Sequence, residues 1–451
     1  MLFSDYNFKD FINEGIEKLG FKKPTQCQSL VIGKILKRKN VICTSQTGTG
    51  KTHAFLLPLL ESIEFDNHQI QKIILVPTRE LAQQIYKNIQ FFANINKQLK
   101  VSCFTGGKDI ERQINNINNL NPQIIVGTPT RIRNIYDSKK VILTNANQII
   151  IDECDMIFDL GFIEDLELLM SKMRKDINTS VFSATIDHSM KNFLNKYLNQ
   201  PIIVNTSKDS LVNKNIEHRL IHTKHQERKI ILKKILNTFD PYLCLIFINN
   251  KKNIDEYYHM LLELNLSVVR LHGGLQPRER KQVLKRIKNL EYKYVICSDL
   301  ASRGIDIEGV SHVISIDLPN NLEYYIHRSG RTGRGDYNGI SFVLYDTNNQ
   351  DLVNLLKVKN IDFKYYQIHE NSLKIIDKKK NNFKKDIKKN KTNIEVNKII
   401  KRYKINNSGK NVKPGYRKKM KSEVKKVTKQ IKRENIRKSI RDQKKREKEK
   451  S

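Results

Sequence analysis

The chain has 451 residues, with 82 Lys and Arg against 47 Asp and Glu, a formal net charge of +35. Its length predicts about two to four domains, and 39% hydrophobic residues are enough to build cores. The charge excess indicates a polyanionic partner, because a line of phosphates compensates such self-repulsion. No run of about 18 apolar residues occurs, so we expect no transmembrane helix.

The ends and the cysteines narrow the class of protein further. Residues 1–10 lack an apolar stretch, so we expect no signal peptide. The six cysteines are scattered and form no CxxC pair. This pattern favours reduced thiols in a cytoplasmic protein over a zinc site or a disulfide framework.

Short β-branched runs alternate with longer amphipathic stretches along most of the chain. The runs are residues 41–44, 72–76, 124–126, 148–151 and 180–182, then 243–248, 268–271, 294–297, 312–316 and 340–345. Buried strands separated by helical stretches predict parallel α/β sheets. We therefore predict two similar domains, residues 1–205 and 216–375, joined by a polar linker at 206–215.

The C-terminal segment, residues 376–451, has a different composition. It holds 31 basic and 8 acidic residues, a net +23, whereas the first 375 residues carry only +12. With few clustered apolar residues it cannot form a core. We predict a largely disordered or helical RNA-binding tail, with a helix near residues 422–450 supported by i, i+4 charge pairs. A solvated charge run or a surface for a protein partner are the alternatives.

A glycine-rich loop follows the first predicted strand, with the sequence SQTGTGKT at residues 45–52. Its glycines let backbone N–H groups approach phosphate oxygens at the start of the next helix. We predict that Lys51 reaches the β- and γ-phosphates and that the Thr52 hydroxyl binds Mg²⁺. The alternative is an ordinary glycine turn. The predicted ATP-binding residues of this loop are Ser45, Gln46, Thr47, Gly48, Thr49, Gly50, Lys51 and Thr52.

An acidic cluster follows the isoleucine run at residues 149–151. In an ATPase, Asp152 would hold Mg²⁺ through water and Glu153 would polarise the attacking water. Without the glycine-rich loop, such a cluster would be read as a solvated turn. Asp152, Glu153 and Lys51 are therefore predicted catalytic residues.

An ordered series of motifs resembles that of the DEAD-box RNA helicases. The series comprises Gln28 with its PT dipeptide, SQTGTGKT, PTRELA at 77–82, GG at 106–107, DECD at 152–155, SAT at 183–185, RGID at 303–306 and HRSGRTGR at 327–334. The resemblance implies two tandem RecA-like domains, ATP and Mg²⁺ as cofactors, and RNA as the partner. LHGGLQPRER at 271–280 and KPGYRKKM at 413–420 resemble the bacterial cold-shock branch of that family.

The resemblance also assigns roles around the nucleotide. Gln28 would read the adenine edge, since an amide donates and accepts at once, with Phe21 against the base and Asp306 at the ribose. Arg331 and Arg334 would act as arginine fingers from the second domain. The residues that would couple the ATP site to RNA are Asp155, Ser183, Thr185 and His327.

The implied RNA contacts go to phosphates and 2′-hydroxyls rather than to base edges, which favours RNA without sequence preference. The predicted RNA-binding residues are Pro77, Thr78, Arg79, Gly106, Gly107, Thr128, Arg131, Arg280 and Ser298. Three positions depart from the family pattern. Cys154 replaces alanine, Thr130 replaces glycine in a turn, and Pro277 replaces a glutamine of the second domain.

These residues predict an ATP-dependent RNA helicase that unwinds short duplexes locally and remodels RNA–protein complexes by domain closure. Ribosome assembly, cold adaptation and mRNA turnover are the settings we expect, with ribosomal or RNA-decay proteins as further partners. Two alternatives are an ATP-gated RNA clamp without turnover and a DNA translocase. Intact Glu153, Arg331 and Arg334 disfavour the first, and the PTREL and HRSGRTGR motifs disfavour the second.

Overall fold

The computed structural model describes most of the chain up to residue 376. The described residues are 2–45, 48–107, 109–186, 188–206, 215–224, 226–299, 307–319, 322–334, 337–358, 361–369 and 372–376, together with Ser422 and Lys425. The chain divides into two units, Met1–Ile375 and Ile376–Ser451. The predicted tail helix falls in the second unit and, apart from those two residues, lies outside the described residues.

The first half of the larger unit forms one seven-stranded parallel sheet. Its strands are β1 (Val41–Thr44), β2 (Lys72–Leu75), β3 (Val101–Phe104), β4 (Ile124–Gly127), β5 (Gln148–Ile151), β6 (Asn178–Ser183) and β7 (Ile202–Asn205). Its helices are α1 (Asp10–Lys18), α2 (Gln26–Leu36), α3 (Lys51–Glu61), α4 (Arg79–Ile95), α5 (Ile110–Leu120), α6 (Pro129–Asp137), α7 (Cys154–Asp159), α8 (Ile163–Lys172) and α9 (His188–Tyr197).

The second half forms an eight-stranded sheet. Its strands are β8 (Ile216–His222), β9 (Cys244–Phe247), β10 (Val268–Leu271), β11 (Tyr294–Cys297), β12 (His312–Ser315), β13 (Gly339–Tyr345), β14 (Phe363–His369) and β15 (Ser372–Ile375). Its described helices are α10 (Arg228–Leu236), α11 (Lys251–Glu263), α12 (Pro277–Lys288), α13 (Leu322–Ser329) and α14 (Gln350–Val358).

The two sheets share one topology. The first has the order β3-β4-β2-β5-β6-β1-β7, and the second repeats it as β10-β11-β9-β12-β13-β8-β14 before adding β15. The predicted pair of similar α/β folds is therefore confirmed. The sheets are not wholly parallel, because β15 pairs antiparallel with β14. The β-branched runs in the sequence did not predict five of the strands: β3, β7, β8, β14 and β15.

Each sheet is covered on both faces, which is why its strands read as continuous apolar runs. In β1, Val41 and Cys43 pack into one buried cluster while Ile42 packs into another on the opposite face. None of the six cysteines, all of which lie within the described residues, forms a disulfide bond, and the sulfurs of Cys27 and Cys43 lie 3.8 Å apart. In the described part of the chain, every helix is too short or too polar to cross a membrane.

Candidate ATP and RNA site

The carboxyl ends of the first sheet's strands carry nearly all the predicted first-half site residues. In a parallel sheet these ends share one edge, where loops meet. Strands β5, β6 and β1 are neighbours and lead into the acidic cluster, SAT and the glycine-rich loop. Strands β3, β4 and β2 are also neighbours and lead into the predicted RNA-binding residues. The predicted ATP-site residues and the predicted RNA-binding residues therefore lie at different positions along the same edge of the sheet.

The glycine-rich loop leaves β1 at Ser45 and ends where α3 begins, at Lys51. Gly50 has φ +84°, and a Cβ there would lie 2.7 Å from the Gln28 amide nitrogen, so a larger residue does not fit. The Ser45 N–H donates to the Ser183 carbonyl at 3.0 Å, which ties this loop to β6. Gln46 and Thr47 lie outside the described residues.

A buried ion pair joins the loop to the acidic cluster. Lys51 Nζ lies 2.9 Å from Glu153 Oε1, with side-chain exposures of 7% and 15%. Burial opposes the charge on Lys51, but the carboxylates of Glu153 and Asp152 outweigh it, so the pKa of Lys51 is raised. Burial also opposes the charge on Glu153, yet the charge of Lys51 prevails and its pKa is lowered. Burial, with the Glu153 charge, raises the pKa of Asp152 to about 7.

Asp155 is the point where several predicted coupling residues meet. Its backbone N–H donates to Ser183 Oγ at 3.1 Å, and Thr185 donates to Asp155 Oδ2 through both N–H and hydroxyl at 3.2 Å. His327 Nε2 of the second half lies 3.7 Å from the same Oδ2. Burial acts against ionisation, but the neighbouring His327 and Lys51 side chains outweigh it, and the pKa of Asp155 is lowered. The geometry thus brings both halves to the acidic cluster.

Gln28 is buried at the start of α2, where Thr25 caps the helix. Its Oε1 accepts from the Thr25 N–H at 2.8 Å, and its Nε2 donates to the Gly50 carbonyl at 3.2 Å. A primary amide has a second lone pair and a second N–H. One acceptor and one donor therefore remain for a base. Phe21 lies beside this group, edge-on to the His53 ring at 4.9 Å.

The arginine-finger candidates follow α13 directly. Arg331 is buried, and its Nε donates to the His327 carbonyl at 3.3 Å; Arg334 Nε donates to the Gly330 carbonyl at 3.4 Å. Because His327 contacts Asp155, this segment faces the first-half site. Asp306, the predicted ribose ligand, lies outside the described residues.

Arg328 anchors α13 and was not singled out from the sequence. Its side chain is 1% exposed, forms two bonds to the Asp299 carboxylate, and donates to Asn249 Oδ1 and the Asp317 carbonyl. Its guanidinium also lies 5.1 Å from the Phe247 ring centre. The HRSGR pattern contained this residue, but nothing local distinguished a buried arginine from an exposed one.

The predicted RNA-binding residues of the first half form one surface. Thr78 caps α4 by accepting from the Leu81 N–H at 3.2 Å, and Arg79 is exposed. A Cβ on Gly106 would lie 2.9 Å from the Arg79 guanidinium, so glycine lets that side chain lie on the turn. Arg131 Nε donates to the Thr105 carbonyl at 3.3 Å, and Arg79 helps lower the pKa of Arg131 after burial. Two neighbouring guanidinium groups suit an RNA backbone.

The remaining first-half candidates complete this surface. Pro77 and Thr128 are buried where β2 and β4 end, and Gly107 is exposed after β3. Thr130 departs from the family pattern, and its hydroxyl donates to the Asp165 carboxylate of α8. Arg133 also donates to Asp165, at 2.7 Å. The substitution therefore adds a bond that holds α6 against α8.

The second-half RNA candidates lie in different surroundings from one another. Arg280 donates to the Glu80 carboxylate of the first half, with side-chain exposures of 16% and 22%. Glu80 belongs to the PTREL motif, but its partner is 200 residues away in sequence. Ser298 is half-buried after β11, and Pro277 is the first residue of α12, where a proline is well tolerated.

The segment between β8 and α10, residues 223–227 with the sequence TKHQE, contains no glycine. Arg228 is the first residue of α10, as Lys51 is the first residue of α3, and it takes the place of Lys51 in the repeated topology. Its guanidinium pairs with Asp317, which follows β12, and with Asp346 at 2.8 Å, which follows β13. An internally neutralised arginine thus occupies the place that the nucleotide loop has in the first half.

The oxygen donors near Lys51 fit Mg²⁺. Thr52 supplies a hydroxyl and Asp152 supplies a carboxylate. Mg²⁺ is usually bound by one or two carboxylates together with substrate phosphates and water. A hydroxyl with one carboxylate therefore suits a metal that is bound mainly through the phosphates of a nucleotide. Across the described residues, no group of three or more His, Cys, Asp or Glu could hold a metal ion.

Comparison with known proteins agrees with this geometry. Residues 25–193 match the DEAD/DEAH box helicase family, and residues 227–336 match the helicase conserved C-terminal domain. The chain is 43% identical to the DEAD-box ATP-dependent RNA helicase CshB of Staphylococcus aureus over 372 residues, covering 82% of this chain and 83% of that protein. For CshB of Bacillus subtilis the identity is 38% over 427 residues, covering 94% and 96%.

A solved structure has a similar fold. The structure of S. cerevisiae Dbp5 bound to RNA and ADP BeF3 is similar, with a TM-score of 0.72 and 25% identity over 81% of this chain and 95% of that chain. The resemblance inferred from the motifs, including that to the cold-shock branch, is confirmed. By sequence and by fold, this chain belongs to the DEAD-box ATP-dependent RNA helicases.

Proposed function

We propose that ATP binds at the β5-β6-β1 end of the first sheet and is hydrolysed when Arg331 and Arg334 complete the site from the second half. The contact between His327 and Asp155, at 3.7 Å, is the observation that carries this proposal. It joins the segment holding both arginines to the acidic cluster of the first half. An arginine that arrives only on closure stabilises the charge that develops on the γ-phosphate.

The Lys51–Glu153 pair supports a switch in partners. Without nucleotide, Lys51 is neutralised by Glu153. Bound phosphates compete for Lys51 and release Glu153, which stays ionised and accepts a proton from the attacking water. Mg²⁺, held by Thr52 and by Asp152 through water, would neutralise phosphate charge when bound. Gln28 would accept and donate to adenine with its second lone pair and second N–H.

RNA would bind along the β3-β4-β2 end of the same edge. Arg79 and Arg131 would grip phosphates, with Gly106 and Gly107 allowing close backbone approach. Because Ser183, Thr185 and Asp155 link this edge to the nucleotide, RNA binding and closure would favour each other. Closure on one strand would expel its complement, which separates short duplexes locally without base readout.

For the cell, we propose remodelling of RNA–protein complexes in the cytoplasm during ribosome assembly, cold adaptation or mRNA turnover. The free thiols support a reducing compartment. Ribosomal or RNA-decay proteins are the proposed further partners.

The test is ATP hydrolysis measured without nucleic acid, with single-stranded RNA and with single-stranded DNA of the same sequence. Separation of a short RNA duplex is followed in parallel with ATP and with GTP. We expect hydrolysis and strand separation only with RNA and ATP. Hydrolysis without RNA dependence would contradict the coupling. Stimulation by DNA would favour the translocase, and RNA binding without turnover would favour the clamp.

A further inference from the structure

Helix α12 carries a concentrated positive charge that the ATP and RNA site does not use. Six of its twelve residues are basic and one is acidic, a net +5. The first 375 residues together carry +12. A large part of the charge excess outside the tail therefore lies on this one helix.

Four of these basic residues share one face. At about 100° per residue, Arg278, Lys281, Lys285 and Lys288 fall within an arc of about 80°, and all four are exposed. Ile287, which is fully buried, marks the opposite side that packs on the second sheet. We call these four residues the basic stripe. Over ten residues it extends about 15 Å along the helix.

Two carboxylates close to α12 already have arginine partners. Glu291 is held by Arg286 at 2.7 Å, and Glu80 is held by Arg280. Lys285 acts on Glu291 only through its charge, which helps to lower the pKa of that carboxyl after the bond from Arg286. Among the described residues, none forms an ion pair with a member of the basic stripe. Helix α10, also basic, differs because Arg228 and Lys229 are both ion-paired.

The position of α12 connects the basic stripe to the RNA-binding edge. The helix follows β10, the outermost strand of its sheet. Its first turn holds Arg280, which touches Glu80 immediately after Arg79. The basic stripe begins at Arg278, two residues before Arg280, and extends from this first turn along the exposed face of the helix. RNA that extends beyond the Arg79 surface on the α12 side would therefore meet the basic stripe.

We propose that the basic stripe is an additional RNA-binding site, which holds backbone phosphates of a strand or duplex beyond the segment gripped between the two halves. The proposal rests on the RNA-dependent function above. Lysines spaced by one helical turn on an exposed face contact phosphates as point charges and read no base. The stripe would extend the RNA footprint without changing sequence preference.

The experiment uses the full chain and two RNAs. One is the shortest single strand that saturates stimulation of the wild-type ATPase. The other is the same strand extended at its 5′ end or, in a separate molecule, at its 3′ end. The stripe variant replaces all four residues by Gln. A control variant with the same charge change replaces four exposed lysines of the first half by Gln: Lys87, Lys97, Lys172 and Lys175. RNA affinity is measured between 50 and 200 mM salt.

We expect the stripe variant to lose affinity for one extended RNA much more than for the short RNA. Its salt slope on the extended RNA should fall by up to about 2.8 log units, since each neutralised phosphate contributes about 0.7 on single strands. Between 50 and 200 mM salt, the affinity of wild type for the extended RNA would then fall about 50-fold more than the affinity of the variant. The control variant should keep the wild-type slope.

Equal losses in the stripe and control variants would overturn the proposal, because they would reflect net charge alone. Unchanged affinity and slope on every extended RNA would also overturn it, and would leave the basic stripe to an acidic protein partner or to solubility. Failure of wild type to be stimulated by any RNA would instead contradict the proposed function.

Discussion

The ion pair between Arg280 and Glu80 predicts how strongly ATP and RNA binding are coupled. It joins the two halves, so its free energy is gained only in the closed arrangement. Exposed pairs contribute about 0.2–1 kcal/mol, and breaking a buried pair costs about 3–5 kcal/mol. With exposures of 16% and 22%, we place this pair at about 1–2 kcal/mol. By linkage, removing it should reduce the ATP–RNA coupling factor by about 5- to 30-fold.

The assay measures RNA affinity with and without a non-hydrolysable ATP analogue, for Arg280→Gln, Glu80→Gln and the double variant. We expect each single variant to lose coupling while RNA affinity without nucleotide changes little. The double variant should lose no more than either single variant, because both remove the same contact. Arg286→Gln is the matched control, since it removes an arginine of α12 whose partner, Glu291, lies in the same half.

A different pattern would refute this reasoning. If Arg280→Gln weakens RNA binding equally with and without nucleotide, and Glu80→Gln has no effect on coupling, then Arg280 contacts RNA directly. That outcome would support the RNA-binding role that the sequence predicts for Arg280.

Three further predictions concern stability, catalysis and the tail. Burial, with the charge of Arg38, lowers the pKa of Lys72 to about 7, so unfolding takes up a proton and stability should rise as pH rises from about 7 toward 10. Lys72→Met should flatten this dependence and remove up to about 4 kcal/mol of the pH-dependent free energy of unfolding, at about 1.4 kcal/mol per pKa unit. Denaturation measured at several pH values tests this, and an unchanged slope of unfolding free energy against pH would contradict it. Arg331→Ala or Arg334→Ala should leave ATP affinity nearly unchanged but lower hydrolysis by about 10³-fold, whereas a loss confined to RNA affinity would place them at RNA. Removing residues 376–451 should raise the RNA concentration for half stimulation and flatten the salt dependence of affinity, without changing maximal turnover; equal slopes for both forms on one RNA hairpin would leave the tail to another partner.

The order of motifs made the first-half site predictable. A glycine-rich loop, an acidic cluster and SAT each follow a strongly apolar run, and parallel strands bring such ends to one edge. The Lys51–Glu153 pair and the Asp155 network are direct consequences. The unpredicted strands have weaker patterns: β8 contains three consecutive polar residues, Glu217–Arg219, and the apolar residues of β3 are interrupted by Ser102.

Contacts between the halves were beyond the sequence. Arg280 and Glu80 each belong to a quoted motif, but their pairing depends on how the halves meet. Arg328 and Arg228 look like ordinary surface arginines until the fold pairs them with carboxylates. No local pattern records such pairing, because the partners follow different strands of the sheet.

The central claim is that Glu153 acts on water while nucleotide and RNA are held by other groups. The test compares wild type with Glu153→Gln in steady-state ATP hydrolysis at saturating RNA and in the binding of ATP and of RNA. This change keeps the size of the side chain and removes the base. We predict that turnover falls steeply while both ligands still bind. Near-normal RNA-stimulated hydrolysis in Glu153→Gln would contradict the account.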